Sequence, residues 1–89
     1  MNEPIDLAGN KLSIGDLVCY KHGNRMLWFF ITKISDHRIQ IIWAYYIASI
    51  DDALWVNPIN VLKITEEQVP WYKIQIETTR GHYERYGIL

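Results

Sequence analysis

Apolar and polar residues alternate with a period of two along most of this chain, the signature of β-strands half buried in a core. Ile14-Gly15-Asp16-Leu17-Val18-Cys19-Tyr20-Lys21 opens on a turn pair and continues as a run of apolar β-formers. His22-Gly23-Asn24-Arg25 reads as a turn, because Gly23 and Asn24 both tolerate positive φ. Residues 26–35 predict a long strand with Trp28, Phe30 and Thr32 on one face and Leu27, Phe29 and Ile31 on the other. Both faces are apolar at its start, so either the strand is covered on both sides or one face is a binding surface. A reversal at Asp36-His37 leads to a third strand in which Ile39, Ile41 and Trp43 alternate with Arg38, Gln40 and Ile42.

Tyr45-Tyr46-Ile47 extends that strand or leaves it, and Ser49-Ile50-Asp51-Asp52-Ala53 reads as an acidic loop or one helical turn. Leu54-Trp55-Val56 is a short strand ended by Asn57-Pro58, a turn-initiating pair. Ile59-Asn60 fits a turn of 3₁₀ helix before a fifth strand, Val61-Leu62-Lys63-Ile64. Thr65-Glu66-Glu67-Gln68 has the form of a capping box, a helix start. Pro70 follows at once and would break the ladder inside that helix. Tyr72, Ile74 and Ile76 then alternate with Lys73, Gln75 and Glu77, so a sixth strand over about residues 71–79 is expected, followed by a turn and a tail.

These elements resemble a small SH3-like barrel. Leu12-Ser13-Ile14-Gly15-Asp16-Leu17-Val18 is similar to the first strand of KOW and Tudor-like barrels, which a Gly-Asp turn delivers. Ile31-Thr32-Lys33-Ile34-Ser35-Asp36 looks like the strand and turn that follow in such proteins. Trp55-Val56-Asn57-Pro58-Ile59-Asn60-Val61 is similar to the end of SH3 domains, where a 3₁₀ turn separates the last two strands. The expected fold is therefore all-β: an SH3-like five-stranded small barrel over residues 1–64, with a 3₁₀ turn before strand 5. Residues 65–89 add an extra strand and a tail packed on the same domain. With its leader Asp6-Leu7-Ala8-Gly9-Asn10-Lys11, the chain resembles small barrel proteins of phages and bacteria. That resemblance implies a cytoplasmic protein, in the host cytoplasm if phage-encoded, that modulates or inhibits a host protein complex. The Ala-Leu-Tyr-Asp-Tyr-like strand and acidic loop of peptide-binding SH3 domains are absent, so proline-rich peptide binding is not implied.

Composition narrows the setting. Eighty-nine residues allow one small domain with one core. A lone Cys19 excludes an internal disulfide framework, and with His22, His37 and His82 it supplies no paired zinc ligands. Met1 to Asn10 carries acids and no apolar core, unlike a signal peptide. The longest apolar runs, residues 26–31 and 41–48, fall short of the roughly 20 residues of a membrane span, so no membrane association is expected.

The unusual count is the aromatic one, with Trp 4, Tyr 6 and Phe 2 in so short a chain. A small barrel fills itself with large side chains, which places any single ring in the core. Leu17, Cys19, Ile31, Ile34, Ile39, Ile41, Val56 and Val61 compete for that interior, however, so two or three rings are expected outside, marking a partner. The expected partner-binding set is Trp28, Phe30, Tyr45, Tyr46, Trp55, Trp71 and Tyr72. The strand at 71–79 reads equally as a sheet edge open to β-addition or to exchange in a homodimer, or as an ordinary sixth strand covering the barrel's open side.

Catalysis has little support. No Gly-x-Ser-x-Gly, His-Glu-x-x-His or phosphate-binding loop is present, and Cys19 sits in an apolar strand as an inert thiol would. Asp51 and Asp52 lack the further oxygen ligands that a divalent ion needs. No catalytic residue, metal or cofactor is expected. The formal net charge of -1 disfavours broad binding to nucleic acid. Lys21, Arg25, Lys33 and Arg38 would make a local patch for single-stranded DNA or RNA if they shared a face with Trp28 and Tyr45. The expected function is thus a non-catalytic protein-interaction module, with a nucleic-acid-binding barrel or a small-ligand sequestering protein as alternatives.

Overall fold

In the computed structural model, which describes residues 3–89, five antiparallel strands form one open sheet and the chain closes with a helix. The strands are β1 (Leu17–His22), β2 (Arg25–Ile34), β3 (Ile39–Trp43), β4 (Leu54–Val56) and β5 (Val61–Lys63), in the order β4-β3-β2-β1-β5. Helix α1 spans Lys73–Arg85. Local chemistry explains the connections. His22 pairs with Arg25 across a two-residue loop whose first member, Gly23, has φ 64°, the conformation that a tight hairpin requires there. Between β4 and β5, the Asn57 side chain accepts the Ile59 N–H at 3.2 Å and starts the 3₁₀ turn Pro58–Asn60, as its sequence predicts. Asp16 accepts the Ser13 N–H at 2.8 Å, closing the turn that delivers β1.

The two faces foreseen on β2 are both covered. On one face Val18, Phe29, Ile31, Ile39, Ile41 and Val61 pack into one core, with Leu12 and Val56 at its margin. On the other face Leu17, Phe30, Ile42 and Ala44 lie beneath Val69, Ile76 and Tyr83 from the C-terminal segment. A register shift between Ile31 and Lys33 then pairs Ile34 with Ile39, placing Ile34 on the same face as Ile39. The C-terminal segment thus forms an outer layer on one face of the sheet.

That outer layer corrects the expected sixth strand. Residues 71–79 are not a strand: 3₁₀ turns at Glu66–Gln68 and Pro70–Tyr72 run directly into α1. Period two was visible only within a nine-residue window. Over a longer one, Tyr72, Ile76, Thr79 and Tyr83 recur at helical spacing, and they are the residues that face the sheet. Pro70 does not break a helix, because it occupies the first position of the turn before α1, where no N–H is needed. The Thr65 to Gln68 box does form, with the Thr65 N–H donating to Gln68 Oε1 at 2.7 Å, but it closes a single 3₁₀ turn. Arg80 then clamps the layer: it donates to Gly15 O at 3.0 Å, pairs with Glu66 at 2.8 Å, and lies 4.6 Å over the Phe30 ring.

Gly81 is an exposed interior residue of α1 with nothing within 4 Å of where a Cβ would stand. Gly81→Ala is therefore expected to raise stability by about 0.5–1 kcal/mol, seen as a higher urea midpoint at unchanged slope.

The N-terminal loop closes one margin of the sheet. Asp6 is buried and accepts from the N–H groups of Ala8 (2.9 Å), Asn10 (2.8 Å) and Lys63 (2.7 Å), and from Asn10 Nδ2 at 3.0 Å. The Leu7 N–H donates to Val61 O at 2.9 Å. The outer side of β5 is thereby occupied. Among the described residues, β4 has no backbone partner beyond β3, so the sheet's free edge is β4 and not residues 71–79.

Candidate functional site

Beyond Trp43 the chain leaves β3 instead of extending it, and a single side chain sets the path. The Tyr83 hydroxyl, delivered by α1, donates to Trp43 O at 2.8 Å, lies 3.2 Å from Tyr46 O, and accepts the Ala48 N–H at 3.0 Å. Ser49 then caps a 3₁₀ turn, Ile50–Asp52, by accepting the Asp51 N–H at 3.2 Å. Residues 45–47 are thus held against α1 with Tyr46 and Ile47 turned outward. Burial pushes the Tyr83 hydroxyl above the usual tyrosine range, and burial, Tyr45 and Asp52 do the same for Tyr46. Both are neutral hydrogen-bonding groups near pH 7.

The expected partner-binding rings divide into two groups. Phe30 is fully buried beneath Tyr83, with ring centroids 6.2 Å apart, and is withdrawn from the surface. Trp28, Tyr45 and Tyr72 are half-buried and pack on one another, with centroids 4.9 Å apart for Trp28–Tyr72, 5.7 Å for Tyr45–Tyr72 and 5.9 Å for Trp28–Tyr45. They seat the start of the C-terminal helix on the sheet. Tyr46, Trp55 and Trp71 are exposed, Trp71 at 78%. Trp55 stands on the free edge strand, in a row with Gln40 and Lys33. Trp71 belongs to a different surface, beside α1.

On that surface a cleft of about 350 Å³ runs between residues 45–47 and α1, lined by Tyr45, Tyr46, Ile47, Ile74, Gln75 and Thr78 among others. Ile74 is 77% exposed, as much as Trp71. At 100° per residue, one flank of the helix carries Lys73, Glu77, Arg80 and Glu84. The opposite flank carries Trp71, Ile74, Gln75, Thr78, His82 and Tyr86, with Arg85 as its one charge. His82 packs on Tyr86 there, 4.6 Å between centroids. Charge and apolar surface are therefore segregated around a single helix. Sequence reasoning missed Ile47, Ile74 and Thr78: Ile47 lies on a separate segment, and a strand over 71–79 puts Ile74 and Thr78 on the face opposite Trp71.

The four bases that would make a patch if they shared a face lie in two separate pairs. Lys21 and Arg25 flank the β1–β2 hairpin, whereas Lys33 and Arg38 lie at the other end of β2, about 26 Å away along an extended strand. A second, larger cleft of about 540 Å³ lies between the N-terminal segment and the β2–β3 turn. Its floor is Leu12, Ile14 and Ile34, and its rim includes the carboxylates of Glu3 and Asp36. Cys19 is half-buried, and burial pushes its thiol above the usual value. Among the described residues no three His, Cys, Asp or Glu side chains are grouped to hold a metal ion, and no helix is long and apolar enough to cross a membrane. No known protein family, curated protein or solved structure matches this chain.

Proposed function

We propose that this protein is a non-catalytic interaction module that docks a protein partner through the nearly uncharged flank of α1 and the adjoining residues 45–47. The observation that carries this reading is the continuous exposure of Trp71, Ile74, Tyr46 and Ile47 beside a cleft, on the one helix flank almost free of charge. An exposed apolar patch bordered by polar surface is the usual mark of a protein contact, and tryptophan and tyrosine dominate such contacts energetically. Separation of the four bases into two pairs favours a protein over nucleic acid as the partner. A host protein complex modulated by a phage-encoded chain, the class implied by the resemblance, falls within this reading.

The sheet is best read as an SH3-like small barrel. The support is its strand order and the 3₁₀ turn joining its two margins: only four residues separate Val56 from Val61, so β4 and β5 must approach one another and the sheet must curl.

Affinity capture on immobilised protein, followed by mass spectrometry, tests the function. A stoichiometric protein partner is expected with the wild type. Trp71→Ala and Ile74→Asp should each weaken its binding by about 2 kcal/mol or more, roughly thirtyfold, with unchanged circular dichroism. Equal binding by both variants would move the site elsewhere. A salt-sensitive shift of a labelled oligonucleotide, with no protein captured, would replace this reading by the nucleic-acid one. The cleft floored by Leu12, Ile14 and Ile34 is the place for the small-ligand alternative.

A further inference from the structure

We infer that the nearly uncharged flank of α1 is self-complementary, and that two copies of this chain pair their α1 helices antiparallel about a two-fold axis at Thr78. This inference rests on the proposed docking role of that flank and names its occupant as a second copy.

A two-fold axis matches residues equidistant from its centre. About Thr78, the flank residues four positions away on either side are Ile74 and His82, and those seven positions away are Trp71 and Arg85. Each match is favourable. Ile74 meets the flat face of an imidazole, and Trp71 meets a guanidinium, the most favourable ring for a cation–π contact. The flank's only charge is thus answered by its largest ring. Lys73, Glu77, Arg80 and Glu84 stay on the far side of each helix, so no like charges are forced together. At the crossing point stands Thr78, exposed and small, which lets two helix axes approach to about 8 Å.

The area is also of the right size. The exposed parts of Trp71 and Ile74, with those of Tyr46, Ile47 and Tyr86, come to roughly 700 Å². A stable protein contact covers about 800 Å² on each partner, so these residues can supply most of one. A second copy laid antiparallel along α1 reaches the helix flank and the rim of the cleft together. The other exposed ring, Trp55, is on the sheet edge and plays no part.

Light scattering after gel filtration, from micromolar to submillimolar protein, should show monomer passing to dimer. Ile74→Arg should hold the chain monomeric, with unchanged circular dichroism and the melting curve of the dilute, monomeric wild type. Cysteine cross-linking tests the axis itself. In a Cys19→Ala background, Thr78→Cys should form a symmetric disulfide under mild oxidation, because residues on the axis bring their Cα atoms within about 7 Å. Glu77→Cys, one residue away on the charged flank, should cross-link about tenfold more slowly or worse. Equal rates for the two cysteines, or a wild type monomeric at every concentration, would overturn the inference. If the chain stays monomeric while Ile74→Asp still abolishes capture of a different protein, the docking role stands and only the second copy is lost.

Discussion

Replacing Tyr83 by alanine is expected to cost about 4 kcal/mol, a large part of the roughly 4–13 kcal/mol that a domain of this size has. The ring is fully buried between α1 and the sheet's outer face, against Phe30, so its loss leaves a cavity in the layer that holds α1 down. Tyr83→Phe isolates the hydroxyl. It keeps the packing but strips the Ala48 N–H and the Trp43 carbonyl of their partner, for about 1–3 kcal/mol. Residues 45–48 should then open first, with faster amide exchange at Ala48 than in the sheet. Because the folded pKa of Tyr83 is raised, its contribution is complete below the unfolded value near 10 and lost as pH rises through the folded value. Alkaline melting should therefore be less steep with pH in Tyr83→Phe. A Phe variant as stable as the wild type, with unchanged exchange at Ala48, would remove Tyr83 as the anchor of that loop.

Asp6→Ala is expected to cost about 3 kcal/mol and to lower the melting temperature by about 12–24 °C. One buried carboxylate organises the N-terminal loop and ties it to β5, and removing it strands the Lys63 N–H. Its direction of titration follows from opposed causes. Burial raises the pKa, but the bonds from Lys63, Asn10 and Ala8 together outweigh it, and the net shift is downward. A depressed carboxylate gives stability that is present above its unfolded pKa, near 3.8, and lost as pH falls through the lower folded value. Asp6→Asn should accordingly flatten the loss of stability on the acid side of pH 4. An unchanged acid limb in urea titrations of that variant would show that other carboxylates control it.

Five strands and the 3₁₀ turn between the last two were legible because each is written locally. Alternation places side chains on faces, and Gly23, Asn57 and Pro58 punctuate the chain. The apolar run on both sides of β2 was equally visible, but not what covered its second side. Tyr72, Ile74 and Ile76 satisfy a period of two over a short stretch, and the helical period shows only when Thr79 and Tyr83 are counted with Tyr72 and Ile76. The surplus of rings was real, yet most of it serves the second layer: Phe30, Trp28, Tyr45 and Tyr72 hold α1 to the sheet. The candidate surface was half legible for the same reason. Trp71 and Tyr46 stood out as rings, whereas Ile74 and Thr78 join them only on a helix. The split of the basic residues followed from the length of β2, which puts Arg25 and Lys33 at opposite ends.

The occupied margin at β5 limits how this protein can aggregate. Fibrils grow because every added chain offers a fresh strand edge to the next one. Here Asp6 and Leu7 use up one side of the sheet, leaving, among the described residues, only the three-residue β4 open. Two molecules joined strand to strand at β4 would have no further edge between them, so the stack stops at two.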